Sequence, residues 1–209
     1  MQETEQGYAV AGGQQYHACD LTVEGDYSQA AFFCVANALG SDITLTNLNP
    51  ESVQGDKKIV EIVREMCYNR EQGLPAGFTV DAADIPDLVP ILAVLATFGT
   101  APSSITGAHR LAIKESDRLA STADLLNRLG GKVTATPDGL EIEPVEHLHG
   151  GTVDSCGDHR IAMCAAVAAT RCAGEVTILH GECVEKSYPR FYEDYRQLGG
   201  IANVIVLES

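Results

Sequence analysis

Ile113-Lys114-Glu115-Ser116-Asp117-Arg118-Leu119 sets five polar or charged side chains in a row directly before an apolar-periodic stretch. The stripe Leu119, Ala123, Leu126 and Leu129 predicts an amphipathic helix, and Gly130-Gly131 supplies its C-terminal stop. Ser116 is the predicted N-cap, its hydroxyl accepting a backbone N–H of the first turn. Lys114 and Glu115 then precede the cap, and Arg118 falls inside the first turn. A cation there opposes the helix dipole, which favours anions at that end. The placement makes chemical sense if Arg118 and the free N–H groups together hold a phosphate or carboxylate. A solvated, charged helix start is the competing reading.

The same arrangement recurs along the chain. Asp26 begins a nearly all-apolar helix over residues 30–39, Asp87 one over 88–98 and Asp158 one over 161–172. Thirty residues after each of them, at Asp56, Asp117 and Tyr188, an amphipathic helix begins. Strand-like runs fall between: Tyr8-Ala9-Val10, Leu21-Thr22-Val23, Ile43-Thr44-Leu45, Phe78-Thr79-Val80, Ser104-Ile105-Thr106, Val176-Thr177-Ile178 and Val204-Ile205-Val206. Pro137-Asp138-Gly139 is turn chemistry, so residues 133–135 and 140–142 predict a hairpin. Three equal spacings are an internal repeat of α/β units. A helix apolar all round must be buried, so the three apolar helices are expected side by side at a shared axis. Their N-termini then meet at one pole. Asp87, Lys114, Glu115, Arg118, Asp158, Arg160 and Lys186, all at or just before helix starts, are expected on that one face.

Composition bounds what such a face can serve. The chain has 209 residues, 45% apolar and 21% charged, which is enough for a substantial core. Its formal charge of -15 argues against a general nucleic-acid or anionic-membrane surface, so an anionic ligand must be met by a local cation cluster. Seven cysteines without a C-x-x-C suggest neither a disulfide framework nor a zinc site. Cys34, Cys164 and Cys172 lie in apolar helical stretches as small hydrophobes. The first seven residues are acidic and polar, unlike a signal or transit peptide, and a reducing cytoplasm is the expected setting.

Four segments, Ile85-Pro86-Asp87, Lys114-Glu115-Ser116-Asp117-Arg118-Leu119, Asp158-His159-Arg160-Ile161-Ala162-Met163 and Glu185-Lys186-Ser187-Tyr188-Pro189, together resemble the motifs of the EPSP synthase (3-phosphoshikimate 1-carboxyvinyltransferase) family, in that family's order. Gly25-Asp26-Tyr27-Ser28-Gln29-Ala30 resembles a further, weaker family segment. The resemblance implies an α/β (α+β) fold, an enolpyruvyl transferase-like domain of three repeated β-α-β-α-β-β units with buried parallel helices. It implies that residues 1–24 are the end of an N-terminal lobe and hinge, and that 25–209 are the C-terminal lobe. On this reading only that short end of the family's other lobe has a counterpart in this chain.

The resemblance further implies transfer of the enolpyruvyl group of phosphoenolpyruvate to the 5-hydroxyl of shikimate 3-phosphate, without cofactor or metal. Phosphoenolpyruvate, shikimate 3-phosphate and the missing N-terminal lobe are the implied partners, with no nucleic acid or membrane. On this reading Asp87 is the base and a ligand of the shikimate hydroxyls, and Glu115 the second acid-base group. Arg118 and Arg160 grip the phosphoenolpyruvate carboxylate with forked guanidinium donors. Lys186 contacts its phosphate and handles a proton, while Lys114 reaches the shikimate side. Asp158 orients Arg160, and His159 is structural.

Plainer roles compete with each of these. Asp87 alone is an ordinary helix cap, Glu115 an exposed acid, and the arginines are salt-bridge partners of Asp117 and Asp158. For Lys114 and Lys186 the plainer role is a solvated surface. Ala112 and Gly157 depart from the family pattern, where a basic residue and an Asn are common. The sister transferase acting on UDP-N-acetylglucosamine is the nearest alternative, and a non-catalytic anion-binding module the other.

Overall fold

The computed structural model describes residues 1–205. Its centre is three helices, α1 (Tyr27–Ala38), α3 (Val89–Thr97) and α5 (His159–Ala169), which touch one another pairwise. Every residue of α3 is buried, as an apolar segment without a polar face requires. Around them lie the amphipathic α2 (Lys58–Glu71), α4 (Arg118–Arg128) and α6 (Phe191–Gln197). Their inward stripes are Ile59, Ile62 and Met66 on α2, with Val63 only partly buried beside them, and on α4 the expected Leu119, Ala123 and Leu126. Beyond α4, Leu129 is fully buried, and Gly130 turns the chain at φ +93° while the Gly131 N–H donates to Leu126 O at 2.8 Å. From α6, Phe191 packs edge-on against Tyr188 and Tyr192, and its ring lies 6.4 Å from Phe33 of α1.

The strands are β1 (Gln2–Thr4), β2 (Gly7–Ala9), β3 (Thr79–Asp81), β4 (Ser103–Thr106), β5 (Lys132–Thr136), β6 (Gly139–Glu143), β7 (Gly151–Asp154) and β8 (Val176–Leu179). One sheet runs β3-β4-β6-β5, with β3 and β4 parallel because α3 carries the crossover, and the expected β5–β6 hairpin antiparallel. In β6 Leu140 and Ile142 face the core while Glu141 and Glu143 face out. Gly139 packs directly on the Ile105 carbonyl, where any Cβ would collide. From β3 to β6 the chain spells one complete β-α-β-α-β-β unit.

Among the described residues the units on either side show fewer strands. Leu21-Thr22-Val23 and Ile43-Thr44-Leu45, expected as strands, belong to no sheet. The side-chain amide of Asn37 instead satisfies both the N–H and C=O of Ile43, at 2.8 Å each. The third unit retains a parallel β7–β8 pair. Of the expected last strand, Val204 and Ile205 have no regular structure and Val206 lies outside the described residues.

Residues 1–23 are exposed throughout, β1 and β2 forming a small hairpin. The packed body begins at Glu24, whose carboxylate accepts from Asn49, Ser52 and Gln54. All seven cysteines are free. Cys164 is fully buried, whereas Cys34 and Cys172 are only partly so, packed against the core edge.

Candidate active site

Helix starts converge at one pole, and three of them, those of α1, α4 and α5, are capped by aspartates. Asp26 accepts from Ser28 N at 2.8 Å, Asp117 from Ala120 N at 3.1 Å and Asp158 from Arg160 N at 3.0 Å. Ser116 is therefore not the cap of α4. Asp117, one residue later, offers the stronger, charged acceptor to the dipole, and the Ser116 hydroxyl instead donates to Asp158 Oδ2 at 3.1 Å. Asp87 breaks the pattern. It caps nothing, and its carboxylate accepts from Arg118 Nη1 at 2.8 Å and Arg160 Nη2 at 2.9 Å.

Arg118 is the hub. Only 1% exposed, it donates from Nε to Asp158 at 2.8 Å, from Nη1 to Asp87 and from Nη2 to Glu115 at 2.6 Å. Burial opposes its charge, but the Asp158 hydrogen bond and the three carboxylates outweigh that and raise its pKa further. Burial by itself would raise Asp158, which is fully buried; the hydrogen bond and charge of Arg118 win and hold its carboxyl below the usual range. Asp158 thus orients Arg118, not the Arg160 guanidinium as expected, and touches Arg160 only at the backbone. Asp117 plays no part in holding Arg118, contrary to the plain salt-bridge reading.

Arg160 differs from Arg118 in what its donors meet. Its Nη2 reaches Asp87, but Nε and Nη1 are buried with no partner among the described residues. Buried guanidinium nitrogens left unpaired carry a large desolvation cost unless an acceptor arrives. Lys186, at the end of the 3-10 turn Gly181–Lys186, donates from Nζ to Gly157 O at 2.9 Å, one residue before Asp158. Lys114 is exposed, and no hydrogen bond or ion pair is formed by it among the described residues. His159 is buried, its Nδ1 without a hydrogen-bond partner among the described residues; burial and the neighbouring Arg160 push its pKa down.

The structure thus brings Asp87, Glu115, Arg118 and Arg160 into direct contact, sets Lys186 on the adjoining loop, and leaves Lys114 beside Glu115 in the chain only. Sequence reasoning missed Asp56, 9% exposed, which accepts from the Ser28 hydroxyl. Burial raises its pKa, the Ser28 bond opposes this, and the charge of Asp87 adds to the rise. The signal was present: Asp56 holds the place in its repeat that Asp117 holds in the next. Among the described residues no group of three or more His, Cys, Asp or Glu side chains could hold a metal ion.

Fold and site together define a class: a lobe of repeated α/β units whose helix pole pairs carboxylates suited to moving protons with guanidinium nitrogens suited to holding an anion. The model of the family EPSP synthase (3-phosphoshikimate 1-carboxyvinyltransferase) matches residues 1–195. The chain belongs to that family. It is 45% identical over 200 residues to a 3-phosphoshikimate 1-carboxyvinyltransferase of Clostridium acetobutylicum, covering 92% of this chain and 47% of the relative. To one of Clostridium perfringens it is 44% identical over 204 residues, covering 93% and 48%. The solved EPSP synthases of Acinetobacter baumannii superpose with TM-scores of 0.72 and 0.73 at 29% and 28% identity, covering 85% and 88% of this chain and 46% and 48% of theirs. The chain therefore spans about half the length of the relatives it matches.

Proposed function

We propose that this chain is the C-terminal lobe, residues 25–209 with 1–24 as hinge, of an enzyme that transfers the enolpyruvyl group of phosphoenolpyruvate to the 5-hydroxyl of shikimate 3-phosphate, releasing phosphate. One observation carries the reading: Asp87 is shared by Arg118 and Arg160, and Arg160 keeps two buried nitrogens for an incoming acceptor. The reaction needs a base for the attacking hydroxyl, an acid for the methylene carbon, and cations for a carboxylate and phosphoryl groups. Asp87 is the base and a ligand of the shikimate hydroxyls, with Glu115 the second acid-base group. Arg160 takes the phosphoenolpyruvate carboxylate with its unpaired Nε and Nη1, and Arg118 braces Asp87, Glu115 and Asp158 around it while sharing in the grip. Lys186 leaves the Gly157 carbonyl for the phosphate, and Lys114 turns to the shikimate side. The other lobe supplies the opposite wall, so this lobe by itself binds but does not turn over.

Calorimetric titration of the 209-residue chain tests this. Phosphoenolpyruvate is expected to bind weakly, and Arg160→Met to weaken it about 10- to 100-fold, the loss of hydrogen bonds to a charged group. Tight binding of UDP-N-acetylglucosamine with no response to shikimate 3-phosphate would overturn the assignment in favour of the sister transferase.

A further inference from the structure

Outside the carboxylate–arginine pole, a second polar cluster lies where β7 and β8 end. Asp154 Oδ1 accepts from both Cys156 N, at 2.8 Å, and His180 Nδ1, at 2.9 Å. Ser155, itself buried, donates from Oγ to His180 O at 3.0 Å and from its backbone N–H to Leu179 O at 3.2 Å, and its Oγ accepts from Gly157 N. Lys186 Nζ then closes onto Gly157 O. The bonds form a ring running from Asp154 through Cys156 and Gly157 to Lys186, back along the 3-10 turn to His180, and across to Asp154. Cys156 and His180 sit at φ +53° and +55°, two of the three non-glycine residues with positive φ among those described. Strained backbone kept at a junction implies that the surroundings over-determine it. This junction delivers Asp158 and Arg160 on one side and Lys186 on the other.

We propose that the Asp154–His180 pair is a clasp that positions Lys186, making His180 and Asp154 positioning residues for the anion site. The clasp holds the 155–157 loop against the 181–186 turn so that Lys186 is parked on Gly157 O, next to the α5 start, until an anion draws it away. Its consequence for the reaction rests on the reading of Lys186 given above; the clasp itself does not. The groups facing it are few. The hydrogen bond and charge of Asp154 raise the His180 pKa, and Glu182 adds to this; His180 and the Cys156 N–H lower that of Asp154, helped by the Arg128 charge from the end of α4. A raised histidine contributes below its ordinary pKa and loses that contribution as pH climbs through the raised value. The clasp is therefore closed in mild acid and loosens toward alkaline pH.

Trace acetylation of the folded chain with acetic anhydride, read by peptide mass spectrometry as the Lys186 rate relative to exposed Lys132, tests the clasp without any ligand. His180→Gly keeps the left-handed backbone and removes the ring, and is expected to raise the relative Lys186 rate about 2- to 10-fold, the worth of one net hydrogen bond. Asp154→Ala is expected to do the same, and His180→Asn, which tolerates the same φ and keeps a donor, to restore most of the protection. In the wild type the ratio rises with pH through the histidine range, and in His180→Gly it does not. Equal ratios in wild type, His180→Gly and Asp154→Ala, with circular dichroism unchanged, would overturn the proposal. Should His180→Gly unfold, His180→Asn and Asp154→Ala carry the same comparison. An intact clasp effect without Lys186 protection by added phosphoenolpyruvate would count against the functional reading and leave the clasp standing.

Discussion

Arg118 is held by three carboxylates, of which Asp158 is as buried as Arg118 itself, so its removal strands that charge. Arg118→Met is expected to destabilise the chain by about 3–5 kcal/mol, the cost of breaking a buried ion pair from one side, seen as a lower urea midpoint. Two aspartates respond to pH in opposite senses. The carboxyl of Asp158 is held low, so its contribution is present above the ordinary aspartate pKa and is lost as pH falls through its depressed value. That of Asp56 is raised by burial, so its contribution is present below the ordinary value and is lost as pH rises through the raised one. Asp56→Asn should therefore raise the urea midpoint near pH ~7 and change it little near pH ~4, in denaturation curves at the two pH values. The residue types at the pole could be read from the motifs, but their pairing could not. That Asp158 serves Arg118, 40 positions away, follows from two helix starts meeting in space and has no trace in local spacing.

Helices were readable because each carries its own hydrogen bonds and its own apolar period. All six stand close to where the 30-residue spacing places them, α6 beginning at Phe191 and not at Tyr188, and the α4 cap falls at Asp117, one residue past the expected Ser116. That displacement is checkable: Asp117→Ala should cost about 0.5–2 kcal/mol as a lost cap, with Asp158 undisturbed. Ser116→Ala should act through Asp158 instead, coupling with Arg118→Met in a double-mutant cycle. Deep in α3, Leu92→Ala is expected to cost about 2–5 kcal/mol by thermal or urea unfolding, because every neighbouring position is also packed. Strands were less readable, since a strand is defined by a partner. Ile43-Thr44-Leu45 has the composition of one and lies unpaired, with the Asn37 amide standing in for a neighbour.

At the level of the molecule, the body starts at Glu24 and everything before it is exposed. Limited proteolysis should cut within residues 10–23 first and leave a resistant product beginning near Glu24, identifiable by mass spectrometry. On the proposed function, phosphate release should be absent when the purified chain is given phosphoenolpyruvate and shikimate 3-phosphate, and should appear when the complementary N-terminal half of a relative is added. The repeat announced a body of α/β units with a polar pole, whereas the fewer strands of its outer units among the described residues were invisible to a pattern that counts helices. Because Arg118 is pinned on three sides by the folded chain itself, the geometry around Asp87 is set before any substrate diffuses in. Donors fixed in this way by the fold lower the ordering cost of any anion that docks against them.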